Sequence, residues 1–313
     1  MSLQVFNNTA AFNIWTNFSS NTQKMKGAMG HLSTGLKNVN DDPSGIGISE
    51  RMRSQAKNTA MARANVDNGI SLLQTADSWM QKMNDMLSRM SELSIEAADG
   101  TKTNTDKSNI QTEFKELQDE ISRITSKSTA AAKFNGLYLF RGESGLAEIS
   151  GDGVQSGNIS IHIGADHNQS VDLSLKDLQV TSTEAMGSIV NYTYNSSNVV
   201  TGSTRVNVEW GSIIDSSKMS VGASDSIGKI QVAIDFIANA RASNGAQQNK
   251  LEFTRTALLS YEDNLRAAES KIRDIDMAQE STAFAKFQIL NQVSNAMLAQ
   301  ANQLPGQVLQ LIG

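Results

Sequence analysis

Apolar residues recur at alternating spacings of three and four along most of the chain, which is the pattern of a coiled-coil seam. Five segments carry it, within residues 11–32, 66–90, 110–124, 227–275 and 287–311. By contrast, the stretches ISIHIG and QSVDLSL alternate apolar and polar positions with a period of two around ADHN. The pattern therefore predicts long helices toward both ends of the chain and a β-hairpin near residues 158–178.

The breaks between these segments predict where the helices begin and turn. In the stretch DDPSG, Asp42 suits an N-cap and Pro43 suits the first helical turn. The polar stretch ADGTKTNTD, residues 98–106, indicates a turn between two antiparallel helices, the second capped near Asn104–Asp106. We therefore expect a mainly α fold of long antiparallel helices packed as a coiled-coil bundle, with a small β-rich insertion in the middle.

Seam positions on the second and fourth segments are the candidate core of this bundle. They are Val66, Ile70, Leu73, Met83, Leu87, Leu258, Leu265 and Ile272. We expect Leu258 and Leu265 to face the seam of residues 66–93.

Apolar seams also run to both ends of the chain, where polypeptides usually fray. The seam residues are Ile14, Phe18, Met25 and Leu32 near the N-terminus, and Phe287, Leu290, Met297, Leu304, Val308 and Leu311 near the C-terminus. Burying one such stripe does not offset the backbone entropy lost in ordering a helix of its length. We therefore interpret both ends as polymerisation surfaces. Pro305 lies inside the last seam and predicts a kink or a brief end of the helix.

Composition narrows the classes of function. The 313 residues carry a net charge of -5 and no cysteine, which excludes disulfides, thiolate metal sites and a cysteine nucleophile. The mild acidity gives no basic patch for nucleic acid, and no apolar run is long enough for membrane insertion. Residues 1–30 lack the charged and apolar regions of a secretory signal peptide, so we expect any export to use another route.

Catalytic chemistry has little support in the residues. His162 and His167 flank the predicted hairpin turn with Asp166 between them. We interpret them as exposed hairpin side chains rather than metal ligands. We expect no enzymatic activity, no cofactor and no metal.

Several longer stretches resemble one family in sequence and in order. They are LSTGLKNVNDDPSGIGISERM (32–52), FNGLYLF (134–140), NLRAAESKIRDIDMAQE (264–280) and MLAQANQLPGQVLQLI (297–312). The chain resembles bacterial flagellin, the subunit of the flagellar filament. The resemblance implies a structural protein for swimming motility, exported through the flagellar type III channel and located outside the cell. Hook–filament junction proteins share DDPSG and GLYLFRG and remain the alternative.

The resemblance also implies three parts of the chain. Residues 1–42 and 277–313 form paired terminal helices, the inner domain of the filament core. Residues 43–180 and 225–276 form a helical bundle domain that carries the hairpin. Residues 181–224 are rich in Ser, Thr, Asn and Gly and form a short variable region exposed to solvent.

The partners that the resemblance implies are mainly flagellar proteins. Besides other copies of the chain, they are the cap protein, the hook–filament junction proteins and an export chaperone that binds the C-terminal helices. Arg89, Leu93 and Glu113 match positions that an innate-immune receptor of animals contacts in this family. Ser91 departs from the Arg that many recognised members carry.

Hydroxyl side chains in the stretch TYNSSNVVTGST, residues 193–204, are candidates for O-linked sugars. They are Ser196, Ser197, Thr201, Ser203 and Thr204.

Overall fold

A computed structural model describes residues 8–126, 130–140, 158–179, 185–194, 200–217, 219–221 and 225–312. In these residues the elements, in chain order, are α1 (Thr9–Thr34), α2 (Pro43–Ala98), α3 (Asn104–Thr125), β1 (Lys133–Phe134), β2 (Leu137–Tyr138), β3 (Asn158–His162), β4 (Ser170–Ser174), β5 (Ala185–Tyr194), β6 (Val200–Glu209), α4 (Trp210–Ile214), α5 (Ser226–Arg273) and α6 (Met277–Ile312). Long helices dominate, and the strands form three antiparallel pairs, β1–β2, β3–β4 and β5–β6. The predicted mainly α fold is confirmed.

Local sequence signals set most of these boundaries. The Asp42 carboxylate accepts from the Gly45 backbone N–H at 2.8 Å, and α2 begins at Pro43 as predicted. A capping box joins Thr103 and Asp106 at the start of α3. The pairs Asn158↔Ser174 to His162↔Ser170 form the predicted hairpin.

The chain divides into two compact units. The first contains Met1–Lys57 and Glu262–Gly313, and the second contains Asn58–Tyr261. In the first unit, α1 and α6 run antiparallel, because contacts join Asn8 to Ala301 and Thr22 to Asn291.

The connectors after α1 and before α6 pair with each other inside the first unit. Gly35 ends α1 with a φ of +73°, a left-handed conformation that glycine adopts readily. Its carbonyl accepts from the N–H of Ile275 at 3.2 Å, and the N–H of Lys37 donates to the carbonyl of Arg273 at 2.8 Å. The two connectors are thus held side by side.

In the second unit, α2 and α5 run antiparallel. Asp77 pairs with Arg241 at 2.8 Å, and the Asn244 amide donates to the carbonyl of Leu73 at 2.9 Å. A core built from α2, α3, α5 and the two longer hairpins fills this unit. The β3–β4 hairpin lies close against α2, since a Cβ on Gly69 would come within 2.3 Å of Ile161 Cδ1.

The region after the second hairpin departs from the sequence prediction. We expected residues 181–224 to face solvent, but Val208, Trp210, Ile213 and Ile214 are buried. The indole Nε1 of Trp210 donates to the carbonyl of Leu178 at 2.6 Å. Burying a large ring with its N–H satisfied is favourable, so this end of the region belongs to the core.

The last helix also departs from one expectation. Helix α6 continues through Pro305, so the helix does not end there. A proline removes only one backbone donor, and a helix can continue past it at some cost. None of the helices in the described part of the chain combines the length and the apolarity of a membrane span.

Candidate assembly surfaces

The α1–α6 pair packs along a narrow seam. Along α1 and the described side chains of α6, only Ala28, Asn291 and Ala301 are buried. The Asn291 amide fills the seam at its middle, where its Oδ1 accepts from the Thr22 hydroxyl at 3.1 Å and its Nδ2 contacts the Met25 sulfur at 3.4 Å. A buried polar group with partners on the facing helix fixes the register of the pair. Sequence reasoning missed Asn291, because it ranked only the apolar seam positions.

The predicted terminal residues occupy different environments. Those that are half-buried are Ile14, Phe18, Met25, Leu32, Phe287 and Leu290. Met297 is exposed, and the adjacent Leu298 is half-buried instead. The side chains of Leu304, Val308 and Leu311 lie outside the described residues. The α1 residues, Phe287 and Leu290 are therefore partly covered along the seam, whereas Met297 lies outside it.

A second apolar stripe runs along α6 beside the seam. Ile289, Val293 and Met297 are spaced four residues apart, and between 51% and 59% of each is exposed. Residues four apart lie on the same side of a helix, so the three side chains form one continuous stripe. Three adjacent, exposed, large apolar residues are unusual on a solvated helix and are typical of an interaction surface.

Helix α1 carries its own exposed apolar side chains. Phe12 and Trp15 are 63% and 54% exposed, and their ring centroids lie 6.2 Å apart. Met29 is exposed further along the same helix. The unusually aromatic start of this helix is thus directed away from α6, although Phe18 remains in the seam.

The predicted bundle core falls in both units. The α2 residues Val66, Ile70, Leu73, Met83 and Leu87 are buried in the second unit. On α5, Leu258 is half-buried against the same core.

Leu265 and Ile272 lie elsewhere. Both are half-buried and belong to the first unit, where a Cβ on Gly45 would approach Ile272 Cγ2 to 3.1 Å. The expectation that Leu265 faces residues 66–93 is wrong. Arg255 already lies opposite Asp67, and in an antiparallel pair Leu265 therefore lies opposite an earlier part of α2.

The candidate receptor residues are only partly available. The guanidinium of Arg89 contacts Glu113 at 2.8 Å and Glu92 at 3.0 Å, and these carboxylates raise the pKa of Arg89. Both Arg89 and Glu113 are exposed. Leu93, however, is only 1% exposed and packs in the core, so its side chain is not a contact surface.

The remaining candidate chemistry is sparse in the described residues. Ser196 and Ser197 lie outside the described residues. Thr201, Ser203 and Thr204 lie in the first half of β6, where only the backbone is described. His162 and His167 are exposed on the β3–β4 hairpin. Within the described ranges, no group of three His, Asp or Glu side chains is arranged to hold a metal ion.

Two protein-family models match the two ends of the chain. Residues 5–144 match the bacterial flagellin N-terminal helical region, and residues 227–312 match the bacterial flagellin C-terminal helical region. Together the matches cover all the described helices except α4 and the first residue of α5.

Similar proteins of comparable length point the same way. Flagellin from Bacillus subtilis is 35% identical over 318 residues, covering 99% of this chain and 100% of that protein. A flagellar filament 33 kDa core protein from Treponema phagedenis is 37% identical, covering 91% of each chain. Flagellin from Halalkalibacterium halodurans is 33% identical, covering 97% of this chain and 98% of that protein.

The solved structures that resemble the chain are more distant in sequence. Bacillus cereus flagellin is 23% identical with a TM-score of 0.40, covering 62% of this chain and 88% of that chain. FlgL from Xanthomonas campestris is 16% identical with a TM-score of 0.46, covering 71% of this chain and 99% of that chain. Because both scores are low, the assignment rests on the sequence matches, which span both helical ends and nearly the full length of the relatives. By those matches, the chain belongs to the bacterial flagellin family.

Proposed function

We propose that the protein, a structural subunit of the bacterial flagellar filament, polymerises through the exposed apolar stripes of α1 and α6. The observation that carries this proposal is the stripe of Ile289, Val293 and Met297, which remains half-exposed in the single chain. Exposed apolar area is stabilised when another surface covers it. Neighbouring copies of the same chain supply that surface.

The two stripes suit a polymer because they lie on different faces of the helix pair. Successive helical residues are about 100° apart, so Trp15 lies roughly 80–90° from the α1 seam and Met297 lies a similar angle from the α6 seam in the opposite rotational sense. Because the helices run antiparallel, these offsets direct Trp15 and Met297 to opposite faces of the pair. A filament that grows by head-to-tail contacts needs two different faces of this kind.

We assign the parts of the chain to the filament accordingly. The terminal helices, residues 1–42 and 277–313, form the filament core, where the seam residues Leu304, Val308 and Leu311 also pack. Residues 43–180 and 225–276 form the bundle domain. The β5–β6 hairpin carries the candidate sugar sites Thr201, Ser203 and Thr204, and Ser196 and Ser197 lie between its two strands in the sequence. The protein thus acts outside the cell, without enzymatic activity.

The exposed apolar stripe of α6 also supports a partner that binds the chain before assembly. Before assembly, the α6 stripe needs a cover, and we assign this role to an export chaperone that binds the C-terminal helices. We further propose export through the flagellar type III channel and assembly between the hook–filament junction proteins and the cap. An animal immune receptor is a further partner, contacted through Arg89 and Glu113.

A matched pair of charge substitutions tests the assembly surface. Val293→Asp places a carboxylate in the α6 stripe, and Val190→Asp places the same charge on β5, where Val190 is exposed in the second unit. Desolvating an unpaired carboxylate is costly, so Val293→Asp should abolish seeded polymerisation while the monomer keeps its helical circular dichroism. Val190→Asp should polymerise as the parent does. Long filaments from Val293→Asp would overturn the proposed surface.

The same experiment addresses the hook–filament junction protein, the alternative that the sequence left open. Nothing in the relatives described above favours that alternative. Long filaments after seeding of the unmodified chain are expected of a filament subunit. A product that stops at short oligomers would support the junction protein instead.

A further inference from the structure

His31 joins three segments of the first unit through both nitrogens of its ring. The residue lies in the last turn of α1, and its Nε2 is 2.8 Å from Asp41 Oδ2 in the α1–α2 connector. Its Nδ1 is 2.8 Å from Glu280 Oε1 in the first turn of α6. Most of the His31 side chain is covered, since 15% of it is exposed.

The Asp41 carboxylate is held by its own segment, and the Glu280 backbone is held in the first turn of its helix. Asp41 Oδ2 also accepts from the Asn38 backbone N–H at 2.9 Å, which fixes the turn of the connector. Glu280 lies in the first helical turn of α6, where its backbone N–H donates to the carbonyl of Asp276 at 2.9 Å. The Asp41 side chain is 45% exposed and the Glu280 side chain is 22% exposed, so both contacts lie near the surface of the unit.

The protonation state of the ring decides how many of these contacts are hydrogen bonds. A neutral imidazole has one N–H donor, whereas the imidazolium has two. An ionised carboxylate only accepts, so the neutral ring can bond one of the two acids and leaves the other facing a lone pair. Only protonated His31 satisfies both contacts.

We propose that His31 is a pH-sensitive clamp at the connector end of the α1–α6 pair, closed by protonation of its ring and released by deprotonation. Asp41 and Glu280 are the charged groups that act on it. The clamp lies beside the paired connectors, where Leu36 and Asp274 form an isolated antiparallel β-bridge. Release therefore weakens one end of the helix pair that carries the assembly stripes, while the backbone bonds between the connectors remain, and the filament is more stable in mild acid than in mild alkali.

The electrostatics of the site agree with this direction. Burial lowers the pKa of His31, but hydrogen bonds and charge interactions with Glu280 and Asp41 outweigh it and raise the pKa above the ordinary value. The negative end of the α1 helix dipole also favours a cation in the last turn. A raised pKa means that the stabilisation is complete below the unfolded pKa, about 6.5. This stabilisation is lost as the pH rises through the higher pKa that His31 has in the folded state.

Dissociation of purified filaments by heat tests the clamp, followed by light scattering between about pH 6 and about pH 9. The filament of the parent chain should dissociate several degrees lower at the alkaline end than at the acid end. His31→Arg keeps a charge and two donors throughout this range. The dissociation temperature of its filament should therefore not show the decrease with rising pH that His31 causes in the parent chain. His31→Gln should dissociate at a lower temperature than the parent in acid and should also lose that fall.

His167→Gln is the matched control, because His167 is exposed on the β3–β4 hairpin. It should keep the pH dependence of the parent chain. A parent-like pH dependence in His31→Gln or His31→Arg would overturn the proposal. If neither variant assembles, hydrogen exchange of the assembled parent filament decides. The clamp is supported if protection at residues 28–34 and 277–283 decreases as the pH rises, after correction for the intrinsic exchange rate. Constant protection overturns it.

Discussion

Trp210 shows how one buried side chain can fasten an insertion to a helical core. Its ring is fully buried, and its Nε1 donates to the carbonyl of Leu178 at 2.6 Å. Trp210→Phe keeps most of the apolar ring but leaves that carbonyl without this donor. The free energy of unfolding of the monomer should fall by about 1–3 kcal/mol, measured by urea denaturation. Trp79→Phe is the control, since Trp79 is only half-buried. Equal losses for the two variants would contradict the role of the hydrogen bond.

The sequence did not decide which residue enters the α1–α6 seam where two neighbouring positions suit the same pattern. Met297 and Leu298 are both apolar, so spacing alone does not decide which one enters the seam. The partner helix decides, and Leu298 is the half-buried residue of the two. Asn291 escaped notice for the opposite reason, because a polar residue enters a seam only when partners such as Thr22 satisfy it. No pattern on a single helix contains that information.

Helix α3 depends on the capping box at its start. The Thr103 hydroxyl oxygen accepts from the Asp106 N–H at 3.2 Å, and the Thr103 N–H donates to the Asp106 carboxylate at 3.0 Å. Thr103→Ala should lower the free energy of unfolding of the monomer by about 0.5–2 kcal/mol, measured by thermal denaturation. Thr101→Ala is the control, because Thr101 lies in the preceding turn rather than at the cap. An unchanged melting temperature for Thr103→Ala would contradict the assignment.

The same cap gives a dependence on pH. Hydrogen bonds from the side chain and the backbone of Thr103 lower the pKa of Asp106. A carboxyl with a lowered pKa stabilises the fold above its unfolded pKa, and that contribution is lost as the pH falls through the folded value. The effect of Thr103→Ala should therefore shrink in acid, below the ordinary pKa of aspartic acid, about 3.9.

Elements were predictable where a local signal and a periodic pattern agree. Asp42 and Pro43 mark the start of α2, and the alternation in residues 158–178 marks the β3–β4 hairpin. The end of the 181–224 region was misjudged, because its Ser, Thr and Gly content outweighed the apolar alternation of Val206, Val208 and Trp210. The alignment of α5 on α2 was likewise not contained in either helix alone. It depends on contacts between them, such as Arg241 with Asp77.

At the scale of the whole molecule, burial is distributed unevenly between the two units. The second unit has a continuous core that contains Leu73, Met83 and Phe114, all fully buried. The α1–α6 pair buries mainly small and polar side chains and leaves larger apolar ones exposed. We therefore expect a single chain to fold its second unit by itself, and its terminal helices to gain most of their burial from other chains. This asymmetry is what a filament subunit requires.

Removal of the last ten residues should separate folding from assembly. Residues 304–313 carry Leu304, Val308 and Leu311 at one end of α6, far along the chain from the core of the second unit. Deleting them should leave the cooperative unfolding of the monomer unchanged by circular dichroism and abolish pelletable filaments in seeded samples. Replacing the three apolar residues with serine keeps the chain length and should have the same effect, because the apolar area is what neighbouring chains cover. Filaments from either variant would refute a role in assembly, and loss of the whole monomer fold would place these residues in the core instead.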